Sequence, residues 1–276
     1  MGVATLAELV ADARRRGRAV GAFTCLNLET ATAIVTVAGE LRAPVAVAFT
    51  ARHSSWVDLP ALAAAARSLA ERAPAPVALH LDHADDLDTI RLALQCGFTS
   101  VMVGDAAGPG GEPREFVRAA VALARQYGAT VEAELTPIPQ KESLGGAPPA
   151  SLTDPDEAAR FARLTGVDVL AVAVGNVHHQ DPGEARLDLP RLRALAAAVP
   201  CALSLHGGSG VADPLLRDAI AAGIGKVSFF TRLARSALAA LGERVAAGAD
   251  LPELLRTLRR AYEEAVRERL RALTEG

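Results

Sequence analysis

The stretch Leu79–Thr89, LHLDHADDLDT, sets two histidines and four acidic residues directly after the apolar run APVA. Charge this dense at the end of a buried strand is costly unless the groups are paired or put to use. By the two-residue alternation of a strand, His80 and Asp82 share one face, as do Glu132 and Glu134 in ATVEAEL. His83, His178 and His206 each stand at or just after the end of an apolar run, although they are far apart in sequence. Neutral imidazole is the commonest metal ligand, and three protein ligands with one open position is the arrangement of catalytic zinc. The three histidines therefore predict Zn²⁺, with Co²⁺ or Mn²⁺ able to substitute, because such a donor set does not choose among these ions. His80 and Glu132 are read as an internal hydrogen-bonded pair. Asp85, Asp86 and Asp88 are read as helix-cap and first-turn acids, and His53, which follows strand two and could reach the mouth, as a solvated loop histidine in preference. His179, beside His178, is ambiguous.

Eight apolar or β-branched runs must position these residues: 19–23, 44–50, 76–83, 100–105, 129–135, 167–174, 201–207 and 226–231. Most are continuously apolar, as expected of parallel strands covered on both faces. Between them lie Ala/Leu/Arg-rich segments with helical spacing. Eight β/α units in a chain of this length predict a single-domain TIM (β/α)8 barrel over residues 1–276, with its site where strands end and βα loops begin. His83, Asp105, Glu134 and His206 then end strands three, four, five and seven, and His178 follows strand six. A doubly wound open sheet is the alternative, weakened because no glycine-rich dinucleotide or P-loop motif follows the first strand. A long amphipathic helix is expected at about 251–273. Thr136–Thr153, rich in Pro, Gly and Ser, is read as a mobile lid, because long irregular connections tend to be functional and this one leaves the strand carrying Glu132 and Glu134. SLHGGSG (Ser204–Gly210) precedes a helix and predicts an anion cradle.

The 276 residues are half apolar, with a formal net charge of −3, which gives no electrostatic reason to expect nucleic acid or an anionic membrane as partner. Three separated cysteines without CxxC spacing predict reduced thiols and a cytoplasmic location. The N-terminal segment reads as an amphipathic helix rather than a signal peptide, and no run of about 18 apolar residues predicts a membrane span.

HLDH at strand three, EAEL at strand five, AVAVGNVH at strand six and LHGGSG at strand seven resemble, in this order and spacing, the class II (metal-dependent) ketose-bisphosphate aldolases. The tagatose- and fructose-bisphosphate branch is nearest, and AFTCLNLET and GIGKVSFFT extend the resemblance over nearly the whole chain. The resemblance implies a cytoplasmic homodimer or homotetramer acting on a phosphorylated keto sugar, with zinc and a monovalent cation. It implies His83, His178 and His206 as zinc ligands and Glu134 as an inner carboxylate near the metal. Asp82 is implied as the catalytic acid/base, and Glu142, on the loop, as a second acid. Asn27, Gly207, Gly208, Ser209, Ser228, Thr231 and His179 are the expected substrate contacts. No lysine is read at mid-strand, which argues against a Schiff-base mechanism. Five positions depart from the family pattern. His179 replaces a Gly, Gly104-Asp105 shifts the strand-four acid, Thr136 replaces a Gly, Pro139 and Gln140 replace paired glycines, and SFFT replaces NxAT or NxST. Three readings stand: an aldolase for a phosphorylated keto sugar, a metal lyase with a donor other than dihydroxyacetone phosphate, and a non-catalytic metal-containing barrel.

Overall fold

The eight apolar runs form eight parallel strands, each paired with its sequence neighbours, and β1 pairs with β8 to close the ring. A computed structural model describes residues 2–105, 113–144 and 151–274, apart from the side chains of Asp105 and Pro113. The strands are β1 (Val20–Thr24), β2 (Val45–Thr50), β3 (Val77–Ala84), β4 (Ser100–Asp105), β5 (Thr130–Glu134), β6 (Val169–Ala171), β7 (Ala202–Leu205) and β8 (Ile224–Phe229). Closure excludes the open-sheet alternative and establishes the TIM barrel. Two strands differ from expectation. β6 is three residues long, although the Val172 N–H beyond it still donates to the Ser204 carbonyl at 3.2 Å. β8 starts two residues before Lys226, since Gly223 (φ 120) ends the preceding helix and Ile224 already packs in the core.

The helices are α1 (Leu6–Arg15), α2 (Leu28–Leu41), α3 (Leu59–Glu71), α4 (Leu87–Gln95), α5 (Pro113–Arg125), α6 (Lys141–Leu144), α7 (Pro155–Thr165), α8 (Leu189–Ala198), α9 (Asp213–Ala221), α10 (Thr231–Ala246) and α11 (Leu251–Thr274). Many start where the sequence supplies a cap. Asp86 accepts from the Thr89 N–H at 2.7 Å, so it is a helix cap as read.

α1 closes the bottom of the barrel. Its Leu6, Leu9, Val10 and Ala13 pack against Val20, Ala46, Ala78 and Val169. Burial of each larger side chain contributes about 1.5–3 kcal/mol. The opening at the carboxyl ends of the strands is what remains for a site. α11 packs on α2 and α10, and its Tyr262 hydroxyl donates to the Thr24 carbonyl at 2.7 Å, anchoring the end of β1. Among the described residues, no helix is long and apolar enough to cross a membrane.

Candidate metal and active site

A regular strand turns consecutive residues to opposite faces, yet Asp82 and His83 line the same cavity. The reason is local. His83 takes a left-handed backbone (φ 54), and the β3–β4 register shifts between Leu81 and Ala84. That conformation costs a non-glycine residue about 1–2 kcal/mol, and bulges recur where a strand must re-aim a side chain. Gly104 lies against this turn, where an added Cβ would stand 3.4 Å from the His83 backbone. A second shift between Val103 and Asp105 sets Asp105 opposite Glu134. The Asp105 side chain lies outside the described residues.

His178 and His206 arrive from adjacent loops joined by Asn176. The buried Asn176 amide accepts from the Val174 N–H at 2.8 Å and donates to the His206 carbonyl at 3.1 Å. Gly207 (φ 70) then turns the chain under Val177, whose carbonyl oxygen would lie 2.4 Å from an added Cβ, so only glycine fits. His83, His178 and His206 end with ring centroids 5.1–6.0 Å apart, and each offers a nitrogen within 4.8 Å of the other two. Burial pushes His178 down to about 3, helped by His206 and His83. Burial also lowers His83, against the pull of Asp82. Neutral imidazoles are the state that binds metal. Asp82 is 8% exposed, and its Oδ1 has no hydrogen-bond partner among the described residues. Burial pushes its carboxyl up, but His83, His206 and Lys226 outweigh this and hold it below the usual carboxylate range. Three clustered imidazoles beside a buried carboxylate oxygen without a hydrogen-bond partner fit a divalent cation.

Beneath these groups the barrel interior is polar. Glu132, fully buried, accepts from Ser204 Oγ at 2.6 Å, His206 Nε2 at 2.9 Å and Lys226 Nζ at 2.9–3.0 Å. Burial alone would raise the Glu132 carboxyl, and Lys226 with His206 holds it well below the usual range. His80 pairs with Ser100 Oγ at 2.8 Å and stands 3.5 Å from Glu132 and 3.8 Å from Asp82. His80 and Glu132 are thus core groups as read, but each has a stronger partner than the other. Lys226 corrects the sequence reading outright, because a mid-strand lysine exists. It is an ion-paired cation with both Glu132 oxygens in reach, and it does not line the cavity. An amine held this way has no lone pair to attack a carbonyl.

The cavity holds about 290 Å³, near the lower end of the ~300–1,000 Å³ typical of ligand pockets. The sequence profile described as fructose-bisphosphate aldolase class-II matches residues 4–275. The chain belongs to this family. The aldolase is a carbon–carbon lyase. It is similar to the YdjI aldolase from Escherichia coli K12, at 29% identity and TM-score 0.87, over 98% of this chain and 97% of that one. It is similar as well to a proposed fructose-1,6-biphosphate aldolase from Coccidioides immitis, at 28% identity and TM-score 0.86, over 96% and 94% of the two chains. It shares its fold with the fructose-bisphosphate aldolase from Campylobacter jejuni, at 19% identity and TM-score 0.82, over 99% and 95%.

Within the aldolase the remaining expected residues divide. Gly207, Ser209, Ser228, Thr231 and His179 line the cavity with the three histidines. Ser209 Oγ accepts the Arg232 N–H at 3.1 Å, at the start of α10, which has no side-chain cap. Gly208 is buried behind this turn. Asn27 does not line the cavity; its amide caps α2 by accepting the Thr30 N–H at 3.0 Å. Glu134, 6% exposed at the end of β5, accepts the Ile138 N–H at 3.2 Å and lies outside the three-histidine cluster. Glu142, on α6, is exposed and meets His179 Nδ1 at 3.1 Å. His179 is left-handed (φ 63), which is why the family pattern has glycine there. Of the expected lid, the part before residue 145 is docked on the loop after β6. The Lys141 N–H donates to the His178 carbonyl at 3.0 Å, and Lys141 Nζ pairs with Asp181 and Glu184. Residues 145–150 of that expectation lie outside the described residues.

Two residues from the loop after β2 line the cavity, Arg52, which the sequence reading missed, and His53, for which it preferred the other alternative. His53 lines the cavity, 5.4 Å from Trp56 and 6.3 Å from Phe230 between ring centroids. It is not the solvated loop histidine expected. Arg52 lines the same wall. The only sequence signal for either was position, one turn beyond a barrel strand.

Proposed function

We propose that this aldolase is divalent-metal dependent, with zinc as the expected ion, and that it reversibly cleaves a phosphorylated keto sugar or a close analogue. The observation that carries the reading is the convergence of His83, His178 and His206 on one cavity that also holds the Asp82 carboxylate and the Gly207–Ser209 turn. A bound divalent ion supplies Lewis-acid charge to the ketone and hydroxyl oxygens beside the bond that breaks. In cleavage, Asp82 takes the proton of the hydroxyl on the acceptor carbon. The carbon–carbon bond then breaks, its electron pair stays with the ketone fragment, and the acceptor leaves as an aldehyde. Condensation runs the same transfers backwards, with Asp82 returning the proton. Glu142, held by His179 at the cavity edge, is the candidate that protonates the ketone fragment. Gly207, Ser209, Thr231 and the start of α10 form the phosphate cradle, with main-chain N–H groups and the helix dipole favouring an anion. Glu134 is assigned as an inner carboxylate that supports the metal site. A homodimer or homotetramer and a monovalent cation beside the phosphate complete the reading by resemblance.

The donor end favours a second reading within this class. Ser228 offers a hydroxyl, 3.5 Å from His206 Nε2, where the family pattern offers an amide. Phe230 brings a ring to the wall at the start of α10, and His179 adds a side chain where a glycine is usual. Loss of one well-placed polar contact to a transition state costs about 10²–10³ in rate. Fructose and tagatose bisphosphates are therefore expected to be poor substrates. Steady-state kinetics on both, beside a panel of ketose phosphates, tests this. A specificity constant within about 10⁴–10⁸ M⁻¹s⁻¹ for either bisphosphate defeats the altered-donor reading and restores the ordinary one.

A further inference from the structure

The most deeply buried charges in the barrel have no part in the proton transfers above. Lys226 and Glu132 are both 0% exposed. Burying an ion pair is rarely a net gain in stability over apolar residues of the same volume, so this one is better explained by what it touches. What it touches is His206. Glu132 Oε1 lies 2.9 Å from His206 Nε2, and Lys226 Nζ lies 3.2 Å from the same nitrogen.

A carboxylate oxygen at that distance only accepts, and the Lys226 ammonium, which only donates, lies closer to the two Glu132 oxygens (2.9–3.0 Å) than to Nε2 (3.2 Å), so the proton between Glu132 and the ring belongs to Nε2. The ring is then the tautomer whose Nδ1 lone pair is free, and Nδ1 is the nitrogen left for the cluster with His83 and His178. Glu132 is itself fixed. Ser204 donates to its Oε1, Lys226 bridges both of its oxygens, and no rotation improves on that set. Ser204 and Lys226 are register partners on neighbouring strands, so the contacts are built into the barrel wall.

We propose that Glu132 and Lys226 form a positioning pair that locks His206 as the Nε2–H tautomer and so presents Nδ1 to the divalent ion. The proposal rests on the metal-dependent reading above. Groups behind a metal-bound histidine typically set metal affinity by a factor of ~10–100. Neither residue lines the cavity.

The test has two arms. In the first, ¹⁵N NMR of the unaltered, metal-free protein labelled at histidine reads the tautomer of His206 at fixed pH. A protonated Nε2 and an unprotonated Nδ1 are expected; a protonated Nδ1 overturns the proposal. This arm needs no variant. In the second, Zn²⁺ affinity is measured by chelator competition for the unaltered protein and for the charge-neutral double variant Glu132→Gln/Lys226→Met, with circular dichroism confirming the fold. Affinity lower by ~10–100-fold is expected, with a changed absorption spectrum of the Co²⁺-loaded form. A folded double variant that binds Zn²⁺ as tightly as the unaltered protein overturns the proposal. An unaltered protein that binds no ion overturns the metal reading instead, and the tautomer arm still decides what the pair does to His206.

Discussion

Asp82→Asn is expected to lose at least ~10² of turnover, and up to ~10⁴, while keeping its fold and its metal content. Asparagine preserves the shape of the side chain but cannot accept the hydroxyl proton. The site gives the carboxylate no substitute. Its Oδ1 is buried without a hydrogen-bond partner among the described residues, and the nearest ring nitrogens lie 3.8–3.9 Å away on His80 and His83. Nothing structural therefore hangs on this oxygen, which separates a chemical loss from a folding loss. Turnover on the best ketose phosphate, with thermal melting as the fold control, checks the expectation. A variant retaining most of its rate reassigns the proton transfer, with Glu142 the next candidate.

His206→Ala is expected to lose metal and activity together. The residue is 1% exposed and is the one cluster member tied to the floor network. Its removal also leaves Glu132 with one hydrogen bond fewer at a buried charge, so a loss of stability of about 1–3 kcal/mol accompanies the chemical effect. Metal content by atomic absorption and turnover are the two readings. A variant that keeps both would remove His206 from the site.

The fold was legible because the signals behind it are periodic and local. Eight apolar runs separated by capped helices leave few topologies, and all eight strands fall on the expected runs, with β6 shortened and β8 shifted by two residues. The site was legible at the level of residue types, since histidines at strand ends mark one rim whatever their sequence separation. What could not be read was geometry that depends on departures from regular structure. Alternation puts His83 outside the barrel, and only the left-handed turn at His83, with Gly104 across from it, brings it in. Lys226 sat at the edge of an apolar run and was read as a strand start. The two-residue shift of β8 makes it an interior charge instead. Asn176 sits within the AVAVGNVH motif, but its linking of two loops could not be read there, because such an asparagine reads as an ordinary loop residue. Asn27 caps α2, and a helix cap and a substrate contact look alike in sequence.

The central claim is that this aldolase works through one divalent ion held by His83, His178 and His206. The most direct measurement removes and restores that ion. Protein is stripped by chelator, assayed on its best ketose phosphate, then titrated with Zn²⁺ while bound metal and turnover are followed together. Activity should fall to background on stripping and return in proportion to bound metal, saturating at about one ion per chain, as a single three-histidine site requires. Turnover that survives complete stripping, or full binding with no return of activity, would contradict the account.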